Sequence, residues 1–191
     1  MAKAWFMALL TVALTACGGG AGLAPISSGE RYTVDAEFSE QYKLGTGDKV
    51  RLSIYNEPQL GGEYAVAANG EISLPLVGNI PVGGKTPDDA GRMVQAAFAN
   101  GYLRDPRVSL EVTTFRPFFI LGEVQSPGQY PYVSGLTVVN AIATANGYTP
   151  RAKKATVMIR RFGEQAELEY EVTPQLRVWP GDTIRLKERY F

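Results

Sequence analysis

From about residue 42 onward the apolar residues alternate. Val50, Leu52 and Ile54 do so in VRLSI, Ile72, Leu74 and Leu76 in ISLPL, and Val108, Leu110 and Val112 in VSLEV. An extended chain points successive side chains to opposite faces, so these runs predict strands with one buried face. Glycine (21) and proline (12) recur between the runs too often for a helical bundle.

Two stretches carry a helical period instead. In TPDDAGRMVQAAFANG, Thr86 can cap a helix, Pro87 suits its first position, and Asp88 and Asp89 sit near the positive end of its dipole. Ala90, Met93, Val94, Ala97 and Phe98 then share one face, and Asn100-Gly101 closes the helix. In SGLTVVNAIATANG, Thr137 is the expected cap, Val139, Ile142 and Ala143 the expected inner face, and Gly147 the stop. Strands interleaved with two helices make the fold class α+β.

The turns are the candidate structural sites. Gly45, Gly47 and Asp48 form one before the first strand, and Asn69-Gly70 is expected to close a hairpin. Pro127-Gly128 suits the two central positions of a type II turn, and Pro180-Gly181, followed by Asp182, leads into the last strand. GTGD is not a phosphate loop, because it lacks the Lys-Ser/Thr pair and precedes a strand.

Several chemistries are excluded or unsupported. The chain has no histidine, which removes imidazole-based catalysis and His-ligated metal. One cysteine allows neither an internal disulfide nor a thiolate cluster. Lys and Arg balance Asp and Glu at 19 each, so no basic surplus points to nucleic acid. No acidic pair stands out as a glycosidase signature, and Asp88-Asp89 reads as helix-start charge. No enzyme activity, cofactor or metal is expected.

The lone cysteine has its own context, MALLTVALTACGGG. Ala4 to Ala16 is free of charge but too short to span a bilayer as a helix, which takes roughly 20 residues. It suits a signal-peptide core. Leu14-Thr15-Ala16-Cys17 resembles the bacterial lipoprotein signal, which implies a leader over residues 1–16 and lipid attachment at Cys17. Residues 17–41, rich in small residues at their start, read as a tether. The resemblance implies an outer-membrane, periplasm-facing, lipid-anchored protein.

The remaining motifs carry a further resemblance. YKLGTGDKVRLSIYNEPQL, NGEISLPLVGNIPVGGKT and DPRVSLEV are similar to the export domain of Wza-type outer-membrane polysaccharide export lipoproteins. ILGEVQSPGQYPY, LTVVNAIATANG and VWPGDTIRLKERYF resemble the SLBB β-grasp domain that follows it there. The implied domains are 42–116 and 117–191. The family implies a homo-oligomeric ring, an inner-membrane polysaccharide co-polymerase as partner, and a capsular polysaccharide or exopolysaccharide in transit. The sequence given stops at ERYF, without the amphipathic helix of larger members, so a separate outer-membrane β-barrel is an expected partner. The alternative is a monomeric, lipid-anchored carbohydrate-binding or regulatory module.

Overall fold

The first alternating run becomes β1 (Lys49–Ile54), whose Val50, Leu52 and Ile54 are buried while the residues between them face out. A computed structural model describes residues 42–189; the leader, Cys17 and the tether lie outside the described residues. β1 is the middle strand of an antiparallel sheet, between β2 (Gly62–Ala65) and β5 (Val108–Thr114). A bulge between Lys49 and Val50 shifts the register against β5, so that Leu52 faces Leu110. A 3-10 turn at Pro58–Leu60 links β1 to β2.

Helix α1 (Pro87–Ala99) packs on β5. Thr86 accepts a hydrogen bond from the Asp89 amide, and Ala90, Gly91, Val94 and Phe98 form its buried face. Burying a side chain the size of Phe98 contributes about 1.5–3 kcal/mol.

Asn69-Gly70 does make a turn, with Gly70 left-handed at φ 79°. The flanking strands, however, leave it into different sheets. β2 pairs with β1, whereas β3 (Glu71–Leu74) pairs with β4 (Gly78–Pro81), setting Ile72 opposite Ile80. Leu76 departs from the alternation. Pro75 breaks the ladder, Leu76 takes φ 68° at the hairpin tip, and its side chain is 59% exposed.

The second half is a five-stranded mixed sheet. β6 (Phe118–Gly122), β7 (Gly128–Tyr130), β8 (Thr156–Arg160), β9 (Leu168–Glu171) and β10 (Thr183–Leu186) lie in the order β7-β6-β10-β8-β9. β10 runs parallel to β6, with Ile184 opposite Ile120, and antiparallel to β8. Helix α2 (Val138–Thr144) is capped by Thr137 as expected. Its inner face is shifted: Val138, Ala141 and Ile142 are buried, whereas Val139 and Ala143 are exposed. Val138 donates its amide to the Leu176 carbonyl, which fixes the first turn of the helix.

The Pro127-Gly128 expectation also needs correction. Gly128 does not take a positive φ and begins β7, paired with Ile120. The left-handed glycine in this hairpin is Gly122, at the end of β6. One buried apolar cluster runs through both halves, from Tyr42 to Leu186. Phe115 links them, meeting Tyr42 edge-on at 5.0 Å and Tyr132 at 5.4 Å.

Candidate functional site

Two of the sequence-picked turns face each other across the middle of the molecule and share one local design. In the first, the Asp48 amide donates to the Gly45 carbonyl at 3.1 Å, and Gly47 sits at φ 91°. The carboxylate of Asp48 folds back to accept from the Gly45 amide at 2.7 Å. In the second, the Asp182 amide donates to the Trp179 carbonyl at 3.1 Å, across Pro180 and Gly181, which has φ 85°. The Asp182 carboxylate accepts from the Trp179 amide at 2.7 Å. A positive φ at the third position is the requirement of a type II turn, which glycine meets without strain.

The likeness continues into the strands. Gly47-Asp48-Lys49-Val50-Arg51-Leu52 and Gly181-Asp182-Thr183-Ile184-Arg185-Leu186 share the pattern G-D-x-V/I-R-L. The V/I and Leu positions are buried in both. The outward arginines each face a glutamate on a neighbouring segment, Arg51 with Glu63 at 3.9 Å and Arg185 with Glu167 at 3.0 Å.

Both aspartates are fully buried, and each meets an arginine. Arg116 donates its amide to Asp48 Oδ1 at 2.8 Å and its Nη1 to Oδ2 at 2.9 Å. Tyr42 adds its hydroxyl to Oδ2 at 2.5 Å. Burial, and then that bond to Asp48, push the Tyr42 phenol well above its ordinary value, so it stays a donor. Asp182 Oδ2 accepts from Arg161 Nη1 at 2.5 Å, while Asp182 Oδ1 is buried with no hydrogen bond of good geometry to the described residues. Burial raises the Asp182 carboxyl above the usual range, against the pull of the Trp179 amide and Arg161.

Arg116 joins the two turns. Its Nε donates to the Pro180 carbonyl at 3.0 Å while its Nη1 serves the Asp48 side. The Phe162 ring covers the guanidinium at 4.0 Å from its centroid. Both turns crowd this group: a Cβ on Gly45 would fall 2.4 Å from Arg116 Nη1, and one on Gly181 would fall 2.6 Å from Phe162. Gly45, Gly47, Asp48, Pro180, Gly181 and Asp182 are therefore gathered at one junction. Asn69 and Gly70 lie in the turn between β2 and β3, and Pro127 and Gly128 in the β6–β7 hairpin, both outside this junction.

The sequence reading passed over Arg116, Arg161, Tyr42 and Phe162. The repeated G-D-x-V/I-R-L pattern was the available signal, since a buried aspartate repeated in two turns demands two counter-charges. Among the described residues no cluster of acidic or thiol side chains could hold a metal ion. The arrangement offers no nucleophile beside a base. What it does is lock one half of the molecule to the other. Beside it, Phe119, Leu121 and Phe162 line an apolar groove of about 450 Å³.

Comparison with known proteins divides the chain at this junction. A family model described as polysaccharide biosynthesis/export protein matches residues 36–113, and one for the SLBB domain matches residues 117–170. Arg116 falls between the two. The exopolysaccharide production protein ExoF of Rhizobium meliloti is 36% identical over 124 residues, covering 57% of this chain and 29% of its own length. The EPS I polysaccharide export outer membrane protein EpsA of Ralstonia nicotianae is 26% identical over 182 residues, 78% of this chain and 48% of its own. The polysialic acid transport protein KpsD of Escherichia coli is 24% identical over 127 residues, 65% of this chain and 23% of its own. The chain thus spans less than half the length of these relatives.

Proposed function

The chain belongs to the polysaccharide export proteins, with an export domain followed by an SLBB domain, and from that premise we propose that it is an outer-membrane-anchored, periplasmic subunit of a conduit for capsular polysaccharide or exopolysaccharide. The observation that carries this reading is the matched pair of domains joined through the buried Asp48–Arg116 ion pair. A conduit wall has to hold its shape while a polymer slides past, and a junction that is buried and hydrogen-bonded on both sides suits that task. The role is passage; the protein makes and breaks no bond.

The remaining parts of the proposal are an anchor, a ring and partners. Among the described residues no helix is long and apolar enough to cross a membrane, and lipid on Cys17 would supply attachment. Phe119, Leu121 and Phe162, all substantially exposed, support a contact between neighbouring subunits. An inner-membrane co-polymerase would feed the polymer in.

The test is secreted against cell-retained polysaccharide in a deletion strain, with and without the gene restored. Lost secretion that the gene restores is the expected result, and unchanged secretion sinks the proposal. Light scattering after mild detergent extraction should find a large oligomer, whereas a monomer would favour a carbohydrate-binding module. Cys17→Ser should leave the protein without lipid and unprocessed or mislocalised.

A further inference from the structure

At the far end of β1 the chain turns through Tyr55, Asn56 and Glu57, and the connection from α1 to β5 brings Arg104, Asp105 and Arg107 alongside. The Tyr55 amide donates to the Arg107 carbonyl at 3.0 Å and clips the two loops together. These residues line an open cleft of about 690 Å³, at the opposite end of β1 from the Gly47-Asp48 turn. That volume is within the range of small-molecule sites.

Three features mark this cleft. Tyr55 is 71% exposed, so its ring packs against little of the described protein. Arg104 and Arg107 are exposed and form no ion pair with Glu57, Asp105 or any other described carboxylate. Among the described residues, Asn56 (φ 61°) and Asp105 (φ 50°) are two of the four non-glycine residues with left-handed backbone, and both line the cleft.

The chemistry narrows the ligand. Arginine offers planar forks of donors, Asp105 and Glu57 offer acceptors, and Asn56 offers both. Two positive and two negative side chains cancel, so the cleft gives no net reward to a polyanion. An exposed tyrosine supplies a broad, rigid, amphipathic surface. Together they suit a ligand that is rich in hydroxyls, flat on one face and uncharged. We propose that this cleft is a glycan subsite for a short run of neutral hexoses, with Tyr55 as the platform and Arg104, Arg107, Asp105 and Asn56 as hydroxyl partners. It rests on the export reading for the source of the glycan, a segment of the polymer in passage.

The experiment is saturation-transfer NMR on the full chain in mild detergent, with neutral gluco-, galacto- and manno-hexasaccharides and with hexagalacturonate as probes. At least one neutral hexasaccharide should receive saturation, and hexagalacturonate should bind no more tightly. Tyr55→Ala and the double variant Arg104→Gln/Arg107→Gln should each weaken that binding about tenfold or more, from lost stacking and from lost charge-assisted hydrogen bonds. All three side chains are exposed, and an unchanged melting temperature in each variant will show that the fold is intact. Silence from all three neutral probes, tighter binding of hexagalacturonate, or binding indifferent to both variants would overturn the proposal. Secretion separates it from the export reading. Absent glycan binding alongside lost secretion in the deletion strain removes the cleft and leaves the exporter. Normal secretion in the deletion strain removes the exporter, while variant-sensitive glycan binding would still establish the cleft.

Discussion

The backbone amide and the guanidinium of Arg116 both end on the carboxylate of Asp48, at 2.8 and 2.9 Å, across a sequence separation of 68 residues. Neither group has water to fall back on, because Asp48 is fully buried and the Arg116 side chain nearly so. Removing one member of a buried pair leaves the other uncompensated, at a cost of about 3–5 kcal/mol. Arg116→Ala should therefore lower the melting temperature by on the order of 10 °C. Arg116→Lys should recover little, since one ammonium cannot reach Asp48 and the Pro180 carbonyl with the same fixed fork. Calorimetry on the three proteins checks the order.

Three glycines should respond to alanine in a fixed order. At Gly122 (φ 83°) a Cβ would lie 2.1 Å from the Leu186 carbonyl oxygen, and backbone within a sheet cannot step aside. Gly122→Ala should cost about 3 kcal/mol or more. At Gly181 the nearest obstacle is the Phe162 ring, which is half exposed and can swing, so the loss should be smaller. Gly128 has ordinary strand geometry, and its Cβ would meet only Tyr130 at 3.9 Å. Gly128→Ala should be neutral or stabilising by up to about 1 kcal/mol. Urea midpoints will rank them.

Two carboxylates should give opposite pH dependences. A hydrogen bond from Thr156, and then Lys153, hold the Glu169 carboxyl at about 2, against an ordinary 4.5. A depressed folded value means that its contribution is complete above pH 4.5 and drains away as pH falls toward 2. Glu169→Gln should flatten that acid limb. Asp182 is raised by burial, so the folded protein holds its proton more tightly than the unfolded chain does. Stability from this group is greatest below its ordinary 3.8 and is lost as pH climbs through the raised value. Asp182→Asn should flatten that loss, and melting temperature against pH will read both.

The tip of the β3–β4 hairpin should tolerate a change that looks harsh. Leu76 sits at φ 68°, with the Val77 amide bonded to the Pro75 carbonyl at 2.8 Å, a tight three-residue turn. Left-handed backbone costs a leucine about 1–2 kcal/mol, whereas glycine adds only about 0.5–1 kcal/mol of entropy. Leu76→Gly should be no less stable than the parent, and Leu76→Val clearly less, by thermal melting.

Local signals were legible because local physics decides them. The Thr86 cap, Pro87 start and the face through Val94 and Phe98 follow from helix geometry alone, and the alternation of Val50, Leu52 and Ile54 follows from the strand pleat. Pairing was not legible. The Asn69-Gly70 turn looks like a hairpin closure, but β2 pairs back onto β1, whose other edge is taken by β5 some 58 residues away, with Leu110 across from Leu52. The α2 face slipped by one residue because Val138 and Val139 are the same residue type, and only the Leu176 carbonyl fixes the turn. Arg116 was missed because an arginine between two domains looks like surface until its counter-charge is known to be buried.

The place of β10 in its sheet sets a timetable. It is the last strand of the described chain, yet it lies between β6 and β8 and is the only element hydrogen-bonded to both. The first sheet has all its strands once residue 114 has emerged, but the second remains two unjoined hairpins, with inner edges bare, until residue 186 arrives. Bare edges recruit other chains. A nascent chain of this protein therefore has to be kept solitary for the length of some 70 residues of travel, and a stop codon between Glu171 and Thr183 would leave a finished first half carrying two strand edges with nothing to close them.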